Sequence, residues 1–348
     1  MLLFVRRRVG RQIDAIPLMT GSRPLQTCSA SALAPEIRRS PRRRRCDDEQ
    51  FVARAGKVTT CRRAMRYSTF MTGLDTTNGG LAAEPLIRLG VFAAILALLV
   101  AWELLAPRRE ATVGRWRRWP GNVGVVVIDT LLVRMLFPTA AVGLALVAEA
   151  NGWGVLNAAG VPDWLAILIA ICLLDLVIYA QHVLFHAVPV FWRLHRMHHT
   201  DIDIDVTTGT RFHPVEILFS MVIKLGAVVV LGAPALGVMI FEVLLNATSM
   251  FSHSNVRLPA GVDSWLRRIL VTPDMHRVHH SIVARETNSN FGFNLPWWDR
   301  LFGTYRDQPA AGHEAMTIGL PQFRDPSELR LDRMLIQPLR SNRTEGRK

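Results

Sequence analysis

Histidine is the residue type whose number and spacing in this sequence predict chemistry. Of eleven histidines in 348 residues, ten lie between residues 182 and 280. Eight of the ten form three short motifs: His-x-x-x-His at 182–186, His-x-x-His-His at 195–199 and His-x-x-His-His at 276–280. Side chains three or four residues apart lie on one helix face, so each motif can direct several imidazoles at one point.

Clustered imidazoles predict a site for a transition metal. Imidazole nitrogen binds zinc, copper, iron and nickel in preference to magnesium or calcium. Eight imidazoles exceed the four ligands of a structural zinc site, so a centre of two metals fits their number better. The alternative is a set of ordinary polar histidines at a membrane boundary, and three motifs at helical spacing do not favour it.

The composition indicates an integral membrane protein. Half of the residues are hydrophobic, the mean hydropathy is positive, and several apolar runs reach the length of a membrane-spanning helix. We therefore predict an all-α fold. The chain should form a multi-pass membrane helical bundle of about four to five spans, in which two of the passes are alternatively a helical hairpin. A histidine-rich helical cap should cover the cytoplasmic end of the bundle.

The net charge of +13 does not indicate a nucleic-acid partner, because residues 1–70 contain 16 basic and 5 acidic residues and so carry most of it. We divide the chain into a disordered basic segment (1–80), N-terminal membrane spans (81–163), a catalytic domain (164–308) and a polar C-terminal tail (309–348). The basic segment is alternatively a transit peptide, or it lies upstream of a true translation start at Met65 or Met71.

The order of the spans predicts that the histidine motifs meet at one membrane face. The arginine-rich loop 108–118 follows the first span and indicates the cytoplasmic side. The third span, 164–181, returns the chain to that side and ends in the first motif. The apolar segment 217–250 is interrupted at 232–234 and is long enough for two passes, which bring 276–280 back to the same face.

A polar stripe extends the first motif into the membrane. Asp175, Tyr179, His182 and His186 are separated by four, three and four residues, which places them on one face of an otherwise apolar helix. An acidic residue inside a span is expected to have a function, although a hydrogen bond between helices explains it too.

The order of the motifs resembles the fatty acid hydroxylase/sterol desaturase superfamily, including the apolar hairpin before the last motif. Supporting segments are Arg211-Phe-His213-Pro-Val-Glu216, Phe251-Ser-His253-Ser-Asn255, Thr272-Pro-Asp-Met-His276, Asn288-Ser-Asn290-Phe-Gly292 and Trp298-Asp299-Arg-Leu-Phe-Gly303. The resemblance covers about residues 165–305. It is specific because all three motifs occur together.

The resemblance implies a non-haem di-iron oxygenase that uses O2 to hydroxylate or desaturate a C–H bond of a lipid, of sterol or fatty-acyl type. The implied metal ligands are His182, His186, His195, His198, His199, His276, His279 and His280. His253 is a further implied ligand, and His213 is either a ligand or a neighbour of one. Candidates to orient the imidazoles are Asp175, Tyr179, Asp201, Asp205, Asn255, Asp274, Asn288, Asn290 and Asp299.

The electron donor is expected to be a separate protein, because the sequence lacks a dinucleotide-binding fingerprint and a fused haem domain. We expect a reductase with a cytochrome b5-like or ferredoxin-like carrier. The expected location is a bacterial inner membrane, with the endoplasmic reticulum as the alternative. Two other functions stay open: alkylglycerol-type ether lipid cleavage, and a membrane metal-binding or transport protein. Transport is disfavoured because the histidines lie at span ends rather than midway through spans.

Overall fold

The computed structural model of the protein describes residues 80–137 and 140–340. The prediction of a disordered segment at residues 1–80 therefore lies almost wholly outside the described residues. The first eight helices are α1 (Gly80–Leu105), α2 (Arg115–Leu136), α3 (Ala140–Ala150), α4 (Val155–Ala158), α5 (Asp163–Ala187), α6 (Pro189–His199), α7 (Pro214–Leu231) and α8 (Ala235–His253).

Six shorter helices complete the described chain. They are α9 (Ala260–Leu266), α10 (Pro273–His279), α11 (Ala284–Thr287), α12 (Trp297–Phe302), α13 (Gly312–Ala315) and α14 (Leu331–Ile336). Three 3-10 turns lie at Thr208–Thr210, Pro326–Leu329 and Gln337–Leu339. Within the described ranges the only β-type pairings are two isolated bridges. The prediction of an all-α fold is confirmed.

Five stretches of the described chain are long and apolar enough to cross a membrane: 88–105, the helices α2 to α4 together, 163–187, 214–231 and 235–253. The prediction of a multi-pass bundle is therefore confirmed. The predicted hairpin also forms, because α7 ends where Gly232 adopts a left-handed conformation (φ 65°) and α8 begins after Pro234. Glycine adopts positive φ without a steric penalty, which suits it to this helix end.

The apolar core lies among α3, α5, α7 and α8. Its fully buried side chains include Ala145, Ala170, Val228, Val238 and Phe241. Both α7 and α8 pack against α3 and α5, while α1 packs on α8 and α2 packs on α7. These contacts place the ends of α5 and α8, which carry histidines, side by side.

A cap of short helices covers those ends. Pro189 stops α5 and starts α6, because proline has no amide hydrogen to continue a helix but fits its first turn. In the same way Pro273 starts α10, and the Thr272 hydroxyl accepts a hydrogen bond from the Met275 amide. Thus α6 and α10, which carry the two His-x-x-His-His motifs, are short and separate from the long spans.

The chain after residue 308 packs more closely than the sequence suggested. A polar tail was predicted there, but Leu329, Met334 and Gln337 are fully buried against α2 and α6. His313 lies in this segment and is buried as well. The ring of His313 is 6% exposed and bonds to Gln308 (Nε2 to Oε1, 2.8 Å).

Candidate metal centre

Nine histidines converge at the junction of the cap and the bundle, in two groups. The first group contains His182, His186, His195, His199 and His279. The second group contains His198, His253, His276 and His280. Within each group the potential ligand nitrogens lie within 4.8 Å of one another. We call these the five-histidine group and the four-histidine group.

Each His-x-x-His-His motif divides between the two groups. In α6, His195 and His199 belong to the five-histidine group and His198 belongs to the other. In the second motif, His276 and His280 join the four-histidine group and His279 joins the first. Residues four apart lie nearly above one another on a helical turn, and the residue between them points further round the axis. Each motif therefore directs its imidazoles into two neighbouring groups.

Hydrogen bonds to the outer ring nitrogens determine which nitrogen faces inward. In the five-histidine group, His182 donates from Nδ1 to the Phe291 carbonyl (2.8 Å) and His195 donates from Nδ1 to Glu216 (2.6 Å). A neutral imidazole carries only one hydrogen, so both Nε2 atoms are bare. These two Nε2 atoms lie 3.1 Å apart. Two lone pairs at that distance repel each other unless a cation lies between them.

The four-histidine group has the same arrangement. His198 donates from Nδ1 to the Arg211 carbonyl (3.1 Å), and His253 donates from Nδ1 to the Ser249 carbonyl (2.7 Å). Their bare Nε2 atoms are 3.1 Å apart, and the Nε2 atom of His276 lies 3.0 Å from that of His253. Both groups therefore present converging lone pairs, which is the arrangement that metal coordination requires.

A shared proton would explain the short distances less well than a metal. Burial holds the pKa of His195 down to about 3, because the charged imidazolium loses its hydration there. Burial, together with the neighbouring His280 and His253, also holds the pKa of His198 well below its usual range. In addition, Nε2 of His279 and both ring nitrogens of His280 are buried without a hydrogen-bond partner. These residues fit a metal pair.

Two outer contacts orient imidazoles of the five-histidine group. Glu216, at the start of α7, is 3% exposed and accepts the hydrogen of His195. Glu216 belongs to one of the segments that resemble the family, but the spacing of the histidines did not predict its contact. The signal for it in the sequence is a carboxylate in the first turn of an apolar span. Asn288, a predicted candidate, accepts a hydrogen bond from Nδ1 of His186 (3.2 Å).

Asp175 and Tyr179 were predicted to orient imidazoles, but they bond to other groups. The Asp175 carboxylate accepts hydrogen bonds from Asn294 (side chain, 2.8 Å) and from the Trp298 indole (2.8 Å). The Tyr179 hydroxyl lies 2.9 Å from that of Thr304. Both residues face inward as the polar stripe predicted, but they bind the segment 291–304 rather than the histidines.

Asn255 and Asp274 also have partners other than histidine ligands. The Asn255 side chain bonds to the backbone of Arg109, through the Arg109 amide (3.0 Å) and carbonyl (2.7 Å). The Asp274 carboxylate pairs with Arg277 and with Arg108 (3.3 Å). These contacts hold the loop after α1 against the cap, so both residues act on the site only through the fold.

His213 lies outside both groups. Its Nδ1 accepts a hydrogen bond from the Val215 amide (3.2 Å), and its Nε2 donates to the Leu335 carbonyl (3.2 Å). The ring therefore caps the N-terminus of α7, and neither nitrogen is directed at the other histidines. Of the ten histidines predicted as ligands, His213 is the one that the structure leaves apart from the rest.

Comparisons with known proteins agree with this geometry. The fatty acid hydroxylase family model matches residues 167–304. Ornithine lipid hydroxylase OlsE of Rhizobium tropici is 28% identical over 236 residues, covering 63% of this chain and 67% of that protein. Alkylglycerol monooxygenase of Xenopus tropicalis is 30% identical over 128 residues (36% and 27%), and human cholesterol 25-hydroxylase is 29% identical over 144 residues (40% and 51%). No solved structure matches the chain significantly.

The fold and the site therefore define a helical bundle of membrane-spanning type with a candidate metal centre, and the relatives named above are hydroxylases and monooxygenases. Residues 167–304 match the fatty acid hydroxylase family, and the relatives named above support the superfamily that the order of the histidine motifs resembles. It spans about two thirds of the length of the ornithine lipid hydroxylase, and about a quarter to a half of the alkylglycerol monooxygenase and cholesterol hydroxylase.

Proposed function

We propose that the nine histidines hold two iron ions, one in each group, and that the protein uses O2 to oxidise a C–H bond of a membrane lipid. The observation that carries this proposal is the set of Nε2 atoms that face one another at 3.0 to 3.1 Å, of which those of His182, His195, His198 and His253 are bare. The metal pair would supply the activation of O2. Imidazole ligands suit iron, and the named relatives are hydroxylases and monooxygenases.

The protein residues contribute orientation and exclusion of water. Eight of the nine histidines are buried, which keeps a reactive centre away from bulk solvent. His186 is the exception, since its ring is only partly buried. Its ring packs against Trp192 and bonds to the exposed Asn288. We infer that O2 and substrate approach the centre on this side.

We further propose that the histidine cap lies on the cytoplasmic side. The arginine-rich loop after α1 is at the same end of the bundle, because Arg108 bonds to Asp274 and Arg109 donates to the Met316 carbonyl (2.8 Å). Loops rich in arginine stay in the cytoplasm. A bacterial inner membrane is the favoured location, and the endoplasmic reticulum is the alternative. Residues 164–308 would form the catalytic domain.

Hydroxylation is the favoured outcome over desaturation, because the relatives are named for it. The likeness to an alkylglycerol monooxygenase keeps an ether lipid as the second substrate class. We propose that electrons come from a separate reductase through a cytochrome b5-like or ferredoxin-like carrier. In lipid extracts of an expressing host, hydroxylation adds one oxygen to the substrate mass, whereas desaturation removes two hydrogens.

Metal analysis of the purified protein tests the centre itself. We expect two iron ions per chain in the wild type, about one in His198→Ala or His279→Ala, and no new lipid product from either variant. His313→Ala is a matched control, because His313 is also buried but lies outside both groups. Retention of two iron ions in both ligand variants, in folded protein, would contradict the assignment.

A further inference from the structure

The end of the described chain packs against α2 and against α6, a helix that carries three of the grouped histidines. We call residues 326–340 the C-terminal strap. Leu329 and Met334 of the strap are fully buried, and Met334 packs with Val125 of α2 and Met197 of α6. Gly121 of α2 lies so close to the strap that a Cβ atom there would be 2.2 Å from the Leu329 carbonyl oxygen. The strap is thus tightly packed against two helices.

Two arginines of α6 bind backbone carbonyls of the strap. Arg193 donates from Nε to the Pro338 carbonyl (2.7 Å), and Arg196 donates to the carbonyls of Gln337 and Arg340 (2.7 Å to the latter). Arg196 is 2% exposed. Because both arginines lie on the helix that carries three of the nine histidines, the strap is linked directly to the ligand-bearing helix.

A side chain of the strap reaches a ligand through two intermediate residues. The Thr200 hydroxyl lies 3.0 Å from Oε1 of Gln337 and 2.8 Å from the Met197 carbonyl, so the two acceptors share its one hydrogen. Thr200 in turn accepts a hydrogen bond from Nη2 of Arg211 (2.7 Å). The backbone carbonyl of Arg211 is the acceptor for Nδ1 of His198. All of these groups are buried.

We propose that the C-terminal strap is a positioning element of the metal centre, and that Gln337 holds His198 through Thr200 and Arg211. The inference rests on the proposed metal function of the four-histidine group. An isolated helix of 11 residues such as α6 is marginal in water, so tertiary contacts must fix its position. Contacts with α5 and α7 hold it from the bundle, and the strap holds it from the outside.

The strap contributes unequally to the two metal positions. Its side-chain route ends at His198, which belongs to the four-histidine group. The five-histidine group has its own outer contacts at Glu216 and Asn288. Loss of Gln337 should therefore weaken metal binding at one position and leave the other unchanged. A role confined to folding would weaken both positions together.

Three variants of the full-length protein test this proposal. Gln337→Met removes the amide while keeping the length of the side chain, and Thr200→Val removes the hydroxyl while keeping the shape. Thr200→Ser restores the hydroxyl and serves as the conservative rescue. Arg333→Ala is the matched control, because Arg333 is exposed on the same strap and lies outside the route from Gln337 to His198.

Iron binding is measured by titration against a chelator, with Mössbauer spectra to count the two environments. We expect about tenfold weaker binding of one iron in Gln337→Met and in Thr200→Val, and normal binding of both irons in Thr200→Ser. The double variant Gln337→Met/Thr200→Val should bind that iron no more weakly than either single variant, because both residues act through the same route. Two irons bound with wild-type affinity in Gln337→Met, or equal loss of both, would overturn the strap proposal. Fewer than two irons in the wild type would instead overturn the proposed function.

Discussion

Glu216 provides the sharpest test of how the protein would hold the two proposed metals. Its carboxylate bonds to Nδ1 of His195 at 2.6 Å, and both side chains are buried. A carboxylate behind a ligand imidazole fixes the ring orientation and raises the basicity of the opposite nitrogen. Removing this contact should weaken the five-histidine position and spare the four-histidine position, which has no bond to Glu216.

The expected loss of metal affinity differs between two substitutions of Glu216. Glu216→Gln keeps an oxygen that can accept the Nδ1 hydrogen but removes the charge, so metal affinity should fall about tenfold, or ~1.4 kcal/mol. Glu216→Leu removes the acceptor as well and leaves the His195 hydrogen without a buried partner. For that variant we expect a fall of about 100-fold, or ~2.8 kcal/mol.

The assay is iron retained per chain over a series of chelator concentrations, with thermal unfolding measured on the same samples. At intermediate chelator Glu216→Leu should keep one iron while the wild type keeps two. Glu242→Gln is a matched control: Glu242 is also a buried carboxylate in a span, but it pairs with Arg88 and Lys224 rather than with histidine. Full retention of both irons in Glu216→Leu would refute the reasoning, as would selective loss in the control.

Two further predictions concern packing and pH. Gly121→Ala should destabilise the protein by about 1 to 3 kcal/mol in thermal unfolding, because the new Cβ atom would meet the Leu329 carbonyl at 2.2 Å. His313 is buried, which lowers its pKa to about 4 despite the nearby Asp274, whereas its pKa in the unfolded chain is about 6.5. Its contribution to stability is therefore present above pH 6.5 and lost as the pH falls toward 4. Between pH 6.5 and 5.5 the wild type should lose about 1 kcal/mol more than His313→Asn.

Each of these predictions has a clear contrary result. The control is Gly90→Ala, where the added Cβ atom would meet no atom of another element within 4 Å. This variant should be neutral or slightly stabilising, because alanine favours a helix more than glycine does. If Gly121→Ala and Gly90→Ala have the same effect on thermal unfolding, the close approach of the strap to Gly121 is contradicted. If the wild type and His313→Asn lose stability in parallel on acidification, His313 is not held neutral in the folded protein.

Much of the fold and the candidate ligand set could be predicted from the sequence, because their signals are local. A membrane span is recognisable from about twenty consecutive apolar residues, and a histidine motif from spacing within one or two helical turns. Nine of the ten histidines predicted as ligands lie in the two groups. His213 has the same residue type, but its ring bonds to the Val215 amide and the Leu335 carbonyl.

The sequence by itself thus determined the class of fold, the hairpin and the histidines that could act together. Only the tertiary structure decided which histidine joins which group, and that Glu216 rather than Asp175 contacts one of the grouped histidines. It also decided that the chain near Gln337 packs against α6. These contacts join residues far apart in the chain, and they depend on how the helices pack. The spacing of residues within one segment does not predict how that segment packs against another.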